Sequence, residues 1–124
     1  MLLIRLWSRL AAAVAAIASI CAFAQTITVV EYRNKTLDAY FITGRASEQA
    51  VLDGIADFER TGMTFVATPT SAANASQVKI CRFYVSLTQP YTSSHFYGRE
   101  VVDCEPIQAM NPAGFTYEGY DFAV

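Results

Sequence analysis

The chain has 124 residues, only 16% of them charged, and a net charge of −2. Nine basic residues against eleven acidic ones, with no basic run, argue against a nucleic-acid binder and against a partner for anionic lipid. One histidine and three cysteines are too few for a cysteine-only zinc site, and no metal or cofactor is expected.

Residues 1–24 read as a cleavable signal peptide. Arg5 and Arg9 supply a basic start. Leu10 to Ala24 is uncharged, and Ala22-Phe23-Ala24 gives the small-x-small pattern for a cut between Ala24 and Gln25. The apolar run of about 15 residues is shorter than the ~20 that span a bilayer, which favours a leader over a retained anchor. Lipidation at Cys21 would need a small residue before it, and Ile20 is bulky and branched. The expected product is exported, to the periplasm or outside the cell, with no stable membrane insertion after cleavage. It keeps seven basic and eleven acidic residues, a net charge of −4.

Residues 25–124 are expected to form a single mature domain. Thr26 to Tyr32 is β-branched and largely alternating, which predicts a strand. Asn34-Lys35 marks a turn and Tyr40 to Thr43 the returning strand. Ser47 to Ile55 carries Val51, Leu52 and Ile55 at helical spacing, with Glu48 near the start and Gly54 near the end. Met63 to Ala67 reads as a third strand. Thr68 to Gln77 is small and polar, an exposed and mobile linker. Val78 to Tyr84 and Ser94 to Tyr97 are the next strands. A helix near Val101 to Met110 fits best if Pro106 lies in its first turn. Phe115 to Val124 closes the chain as a strand.

The order of elements repeats. Phe58-Glu59-Arg60-Thr61-Gly62-Met63-Thr64-Phe65 lies over Phe115-Thr116-Tyr117-Glu118-Gly119-Tyr120-Asp121-Phe122 at a constant offset of 57. Ala39-Tyr40-Phe41 lies over His95-Phe96-Tyr97 at an offset of 56. Val30-Glu31-Tyr32 resembles Cys81-Arg82-Phe83. The expected fold is α+β: two tandem β-β-α-β repeat units, about 27–67 and 78–124, joined by a linker at 68–77 and packed into one small domain. Cys81 and Cys104 remain after cleavage. An even count in an exported chain predicts a disulfide between them, two free buried thiols being the alternative.

These blocks resemble a family of uncharacterised exported bacterial repeat domains. Its units run Tyr-Arg-x-Tyr, then Asp-His-Phe-Tyr-Thr, an acidic-Ala helix, and Gly-Trp-x-x-Glu-Gly-x-x-Phe. Cys81-Arg82-Phe83-Tyr84, Ser94-His95-Phe96-Tyr97 and Phe115 to Phe122 carry the match in the second copy. Ala39 stands where the family pattern has His, and Phe58 and Phe115 stand where it has Trp. The resemblance implies units found alone or appended to secreted hydrolases, and brings no reaction with it.

Ser94-His95 is no catalytic pair, because neighbours on a strand point to opposite faces, and there is no Gly-x-Ser-x-Gly elbow. Phe41, Phe65, Phe83, Phe96 and Phe122 are expected in the core. Tyr84, Tyr91, Tyr97, Tyr117 and Tyr120 are amphipathic candidates for a binding surface. His95 and Tyr97 are assigned to opposite faces of their strand. The reading is a non-catalytic, secreted or periplasmic binding or accessory module for a glycan or protein ligand, with His95, Tyr117 and Tyr120 as candidate binding residues. A structural, oligomerising protein is the alternative, and an unrecognised hydrolase the third reading.

Overall fold

The computed structural model describes residues 25–86 and 93–124. The leader, its cleavage at Ala24, and Tyr91 lie outside the described residues. The architecture is mixed α+β, two three-stranded antiparallel sheets with two short helices. The first sheet holds β1 (Ile27–Asn34), β2 (Ala39–Thr43) and β3 (Phe58–Ala67) in the order β2-β1-β3. The second holds β4 (Lys79–Val85), β5 (Ser94–Arg99) and β6 (Phe115–Ala123) in the order β5-β4-β6.

Helix α1 (Ala46–Leu52) follows β2 and places Leu52 over Val30 and Tyr32 of β1, with Phe41 and Phe58 at the margin. It ends earlier than the sequence suggests. Gly54 and Ile55 donate their N–H groups to Val51 and Leu52, which tightens the last turn and stops the helix. Helix α2 (Glu105–Met110) follows a wide turn over Glu100–Cys104 and carries Pro106 in its first turn, where a missing N–H costs nothing. It packs Ile107 against the buried cluster of Cys81, Phe83 and Cys104, as Phe96, Phe115 and Tyr120 do from the sheet. The Cys81–Cys104 disulfide ties the start of α2 to the central strand β4, and both cysteines are fully buried.

Strand β3 starts at Phe58, five residues before the expected Met63. Its first half is polar (Glu59, Arg60, Thr61) and lies on a sheet edge, so hydrophobic alternation does not reveal it. Gly62 breaks the strand with a φ of +92°, and Gly119 breaks β6 with a φ of +87°. Each sits beside a register shift in its ladder, the role a glycine fills in a bulge. The segment 68–77 is largely exposed but held down. Thr68 pairs with Ala123 through two backbone hydrogen bonds, and the Gln77 amide donates to Thr68 Oγ1.

The sheets meet through Val29, Ala67 and Phe122, flanked by Ile27, Ile42 and Ile80. Phe83 and Phe122 are core as expected, and Phe41 and Phe96 are partly buried. Phe65 is the exception, 40% exposed because β3 is an edge strand, though its ring meets Phe122 edge-on. Among the described residues, no helix is long and apolar enough to cross a membrane.

Candidate functional site

Antiparallel pairing divides the second sheet into two faces. Cys81, Phe83, Phe96, Tyr117 and Tyr120 share the face covered by α2, and Tyr120 and Tyr117 stand opposite Cys81 and Phe83. Arg82, Tyr84, His95 and Tyr97 share the other, which faces the first sheet. His95 and Tyr97 therefore lie on the same face, 6.4 Å between ring centroids, as two-residue spacing on a strand requires. That corrects their assignment to opposite faces.

It also separates the three candidate binding residues. Tyr117 packs on Phe83 at 5.1 Å and on Tyr120, while Lys79 lies over the Tyr120 ring. Burial, with help from Tyr117 and Glu100, pushes the Tyr120 hydroxyl up to about 12. His95, Tyr117 and Tyr120 do not converge on one groove.

What does converge around His95 is a polar network at the seam between the sheets. Arg82, in the middle of β4, has a side chain only 2% exposed. It donates to both oxygens of Glu48 at 2.7 and 2.8 Å, to Glu118 Oε2 at 2.7 Å and to Asp121 Oδ2 at 3.4 Å. Each carboxylate is positioned by its element: Glu48 by the first turn of α1, Glu118 and Asp121 by the two sides of the Gly119 break. Asp121 accepts the Gly44 N–H at 3.0 Å, and Arg45 donates to the Glu118 carbonyl at 2.7 Å. Tyr97 closes the free edge of β2, its hydroxyl donating to the Ile42 carbonyl and accepting the Ile42 N–H at 3.0 Å. Among the described residues no buried side-chain polar atom lacks a partner.

Burial costs every charge here, and the partners decide the outcome. Burial opposes the positive charge of Arg82, but Glu48 and Glu118 outweigh it and raise its pKa further. Burial pushes Glu48 up, and the Arg82 hydrogen bonds more than reverse this, holding it below the usual carboxylate range. Asp121 is raised by burial against the pull of Gly44, Arg82 and Arg45. Burial holds the His95 imidazole below its usual value. Glu118, 3.4 Å from Nε2, and Glu48 work the other way, while Arg82 and Arg45 reinforce the depression.

The ring of His95 also packs between Phe41 at 5.0 Å and Tyr84 at 5.5 Å. Beside it a cleft of about 380 Å³ opens between β2, α1 and the start of β5. Its aromatic lining residues are Tyr40, Phe41, Phe58 and Tyr84, and its polar ones are Asn34, Glu48, Ser93, Ser94 and His95. This volume lies in the range of small-ligand sites. Among the described residues, no group of three or more His, Cys, Asp and Glu is placed to hold a metal ion.

His95 is the only histidine of the chain, which gives a clean pH prediction. With a folded pKa below the unfolded ~6.5, the unfolded chain takes up the proton first. This contribution to stability is complete above about pH 6.5 and is lost as pH falls from there toward the folded value. Thermal unfolding of wild type and His95→Gln between about pH 8 and about pH 5 should show a shallower acid slope for the variant. Parallel slopes would contradict a packed, neutral imidazole.

Sequence reasoning named His95 and Tyr84 but missed Arg82, Glu48, Glu118 and Asp121 as one cluster. The available signal was Arg82 itself, an arginine in a strand whose neighbours Cys81 and Phe83 are core; such a cation requires carboxylates from elsewhere in the fold. No family model, curated protein or solved structure matches the chain.

Proposed function

We propose that the exported domain is a non-catalytic binding module whose site is the cleft beside His95, and that it takes a small glycan. The observation that carries this reading is the shape and lining of the cleft. It is concave and lined by the rings of Tyr40, Phe41, Phe58 and Tyr84, an apolar wall for a sugar ring, with Asn34, Glu48, Ser93 and His95 as polar lining residues. Export rests on the leader pattern of residues 1–24 and on the Cys81–Cys104 disulfide, a bond of oxidising compartments.

The resemblance to exported repeat domains and the duplication belong to the same proposal. Supporting the duplication, the residues facing β1 from β3 and β4 from β6 fall 57 apart at both ends of the ladders, as do the positive-φ glycines Gly62 and Gly119. In the other ladder Tyr32 faces Phe41 and Phe83 faces Phe96. The counterpart of His95 is then Tyr40, not Ala39, so the two copies differ by an exchange of ring types at a cleft-lining position.

A panel of neutral and charged oligosaccharides, read by thermal shift, tests the function. A binding sugar should raise the melting temperature of wild type, and Tyr84→Ala should abolish the rise. A sugar that stabilises both chains equally would place its site elsewhere. The alternative, an oligomerising protein, draws on the edge strand β3, where Met63 is 67% and Val66 69% exposed. Concentration-dependent light scattering separates it from a monomeric binder.

A further inference from the structure

We propose that the cleft selects an amine-bearing ligand, a small organic cation of the amino-sugar class, with its ammonium on Glu48 and its carbon skeleton against the aromatic walls. The inference rests on the cleft being a binding site and adds the charge of what enters it. Among the described lining residues Glu48 is the only carboxylate, and no lysine or arginine joins it. The positive charge of Arg82 lies behind Glu48, buried and already shared among Glu48, Glu118 and Asp121. Arg33 stacks on Tyr40 at 6.0 Å, but its guanidinium is taken by Asp38 and Glu59.

An anionic ligand would thus meet a carboxylate with no uncommitted cation to receive it. A cation meets a carboxylate and aromatic rings among the described lining residues. A carboxylate accepts about four hydrogen bonds; Arg82 uses one position on each Glu48 oxygen and Thr43 takes a third. Glu48 keeps a side chain 30% exposed, which leaves a position for a ligand. The aromatic lining, Tyr40, Phe58 and Tyr84 among it, adds attraction for an ammonium that a neutral sugar does not gain.

The test is isothermal titration calorimetry of the purified exported chain with short glucosamine oligomers and with N-acetylated oligomers of the same length. The amine form should bind roughly tenfold or more tightly, weakening as salt rises. Ser93→Lys puts a positive charge beside the cleft, on the side that His95 shares and outside the Arg82 network. It should weaken the amine form by about tenfold with an unchanged melting temperature. Equal affinity for both forms leaves the cleft as a sugar site and overturns the preference for a cation. Absence of binding by both overturns the preference too. If the neutral and acidic sugars of the panel also fail to bind, the cleft reading falls with it.

Discussion

Arg82→Met should destabilise the domain by about 3–5 kcal/mol, a large share of the 5–15 kcal/mol typical of a whole domain. The loss does not come from the missing bonds alone. Methionine leaves Glu48, Glu118 and Asp121 gathered at one seam with only Arg45 nearby, and Asp121 is buried. Unpaired buried charge is far more costly than the net worth of the pair that held it. For a domain of this size the melting temperature should fall by roughly 15 °C or more. Arg82→Lys keeps the charge but loses the fork that spans Glu48 and Glu118, and should fall between the two. Adding Glu118→Gln to Arg82→Met should recover part of the loss by removing one orphaned charge. A single-variant loss under about 1 kcal/mol would contradict a buried network and return Arg82 to an ordinary surface position.

The second large effect belongs to the disulfide. It closes a loop with a sequence separation of 23. In the chain-entropy model such a link is worth about 3 kcal/mol, and a domain of this size has only a modest core to compensate its loss. Cys81→Ala with Cys104→Ala should therefore cost about 2–4 kcal/mol and loosen α2 before the rest, since Ile107 is the one α2 side chain packed into that core cluster. Hydrogen exchange should show the amides of α2 and β5 losing protection first. Wild type should resist mild reductant until denatured, because both cysteines are fully buried. Its intact mass should be short of the reduced form by the two thiol hydrogens. Equal masses before and after reduction would remove the bond.

The strands, the first helix, the disulfide and the order of elements were legible in the sequence because each depends on local pattern or on compartment. The alternation of Ile27 to Tyr32, the Asn34-Lys35 turn and the place of Pro106 act within a few residues of themselves. Two kinds of information were not local. Ladder register is set by hydrogen bonds between strands. A residue-by-residue offset of 56 placed His95 over Ala39, whereas the ladders set His95 opposite Tyr84 and Tyr40 opposite Arg33. The polar seam joins side chains 34 to 39 residues apart through Arg82, and no short window contains both Glu48 and Asp121. The pairing of faces also decided the candidate site. Tyr117 and Tyr120 share a face with the disulfide, Tyr120 packed on the core there and Tyr117 40% exposed, while His95 alone of the three meets the cleft.

The most direct test of the central claim, that the cleft beside His95 is the binding site, is an amide chemical-shift map of residues 25–124 titrated with glucosamine oligomers. The account predicts that saturable shifts cluster at Ala39 to Phe41, Glu48, Tyr84 and Ser93 to His95, and leave Met63 to Val66 unmoved. Shifts confined to β3, or on the α2 face around Tyr117 and Tyr120, would contradict it.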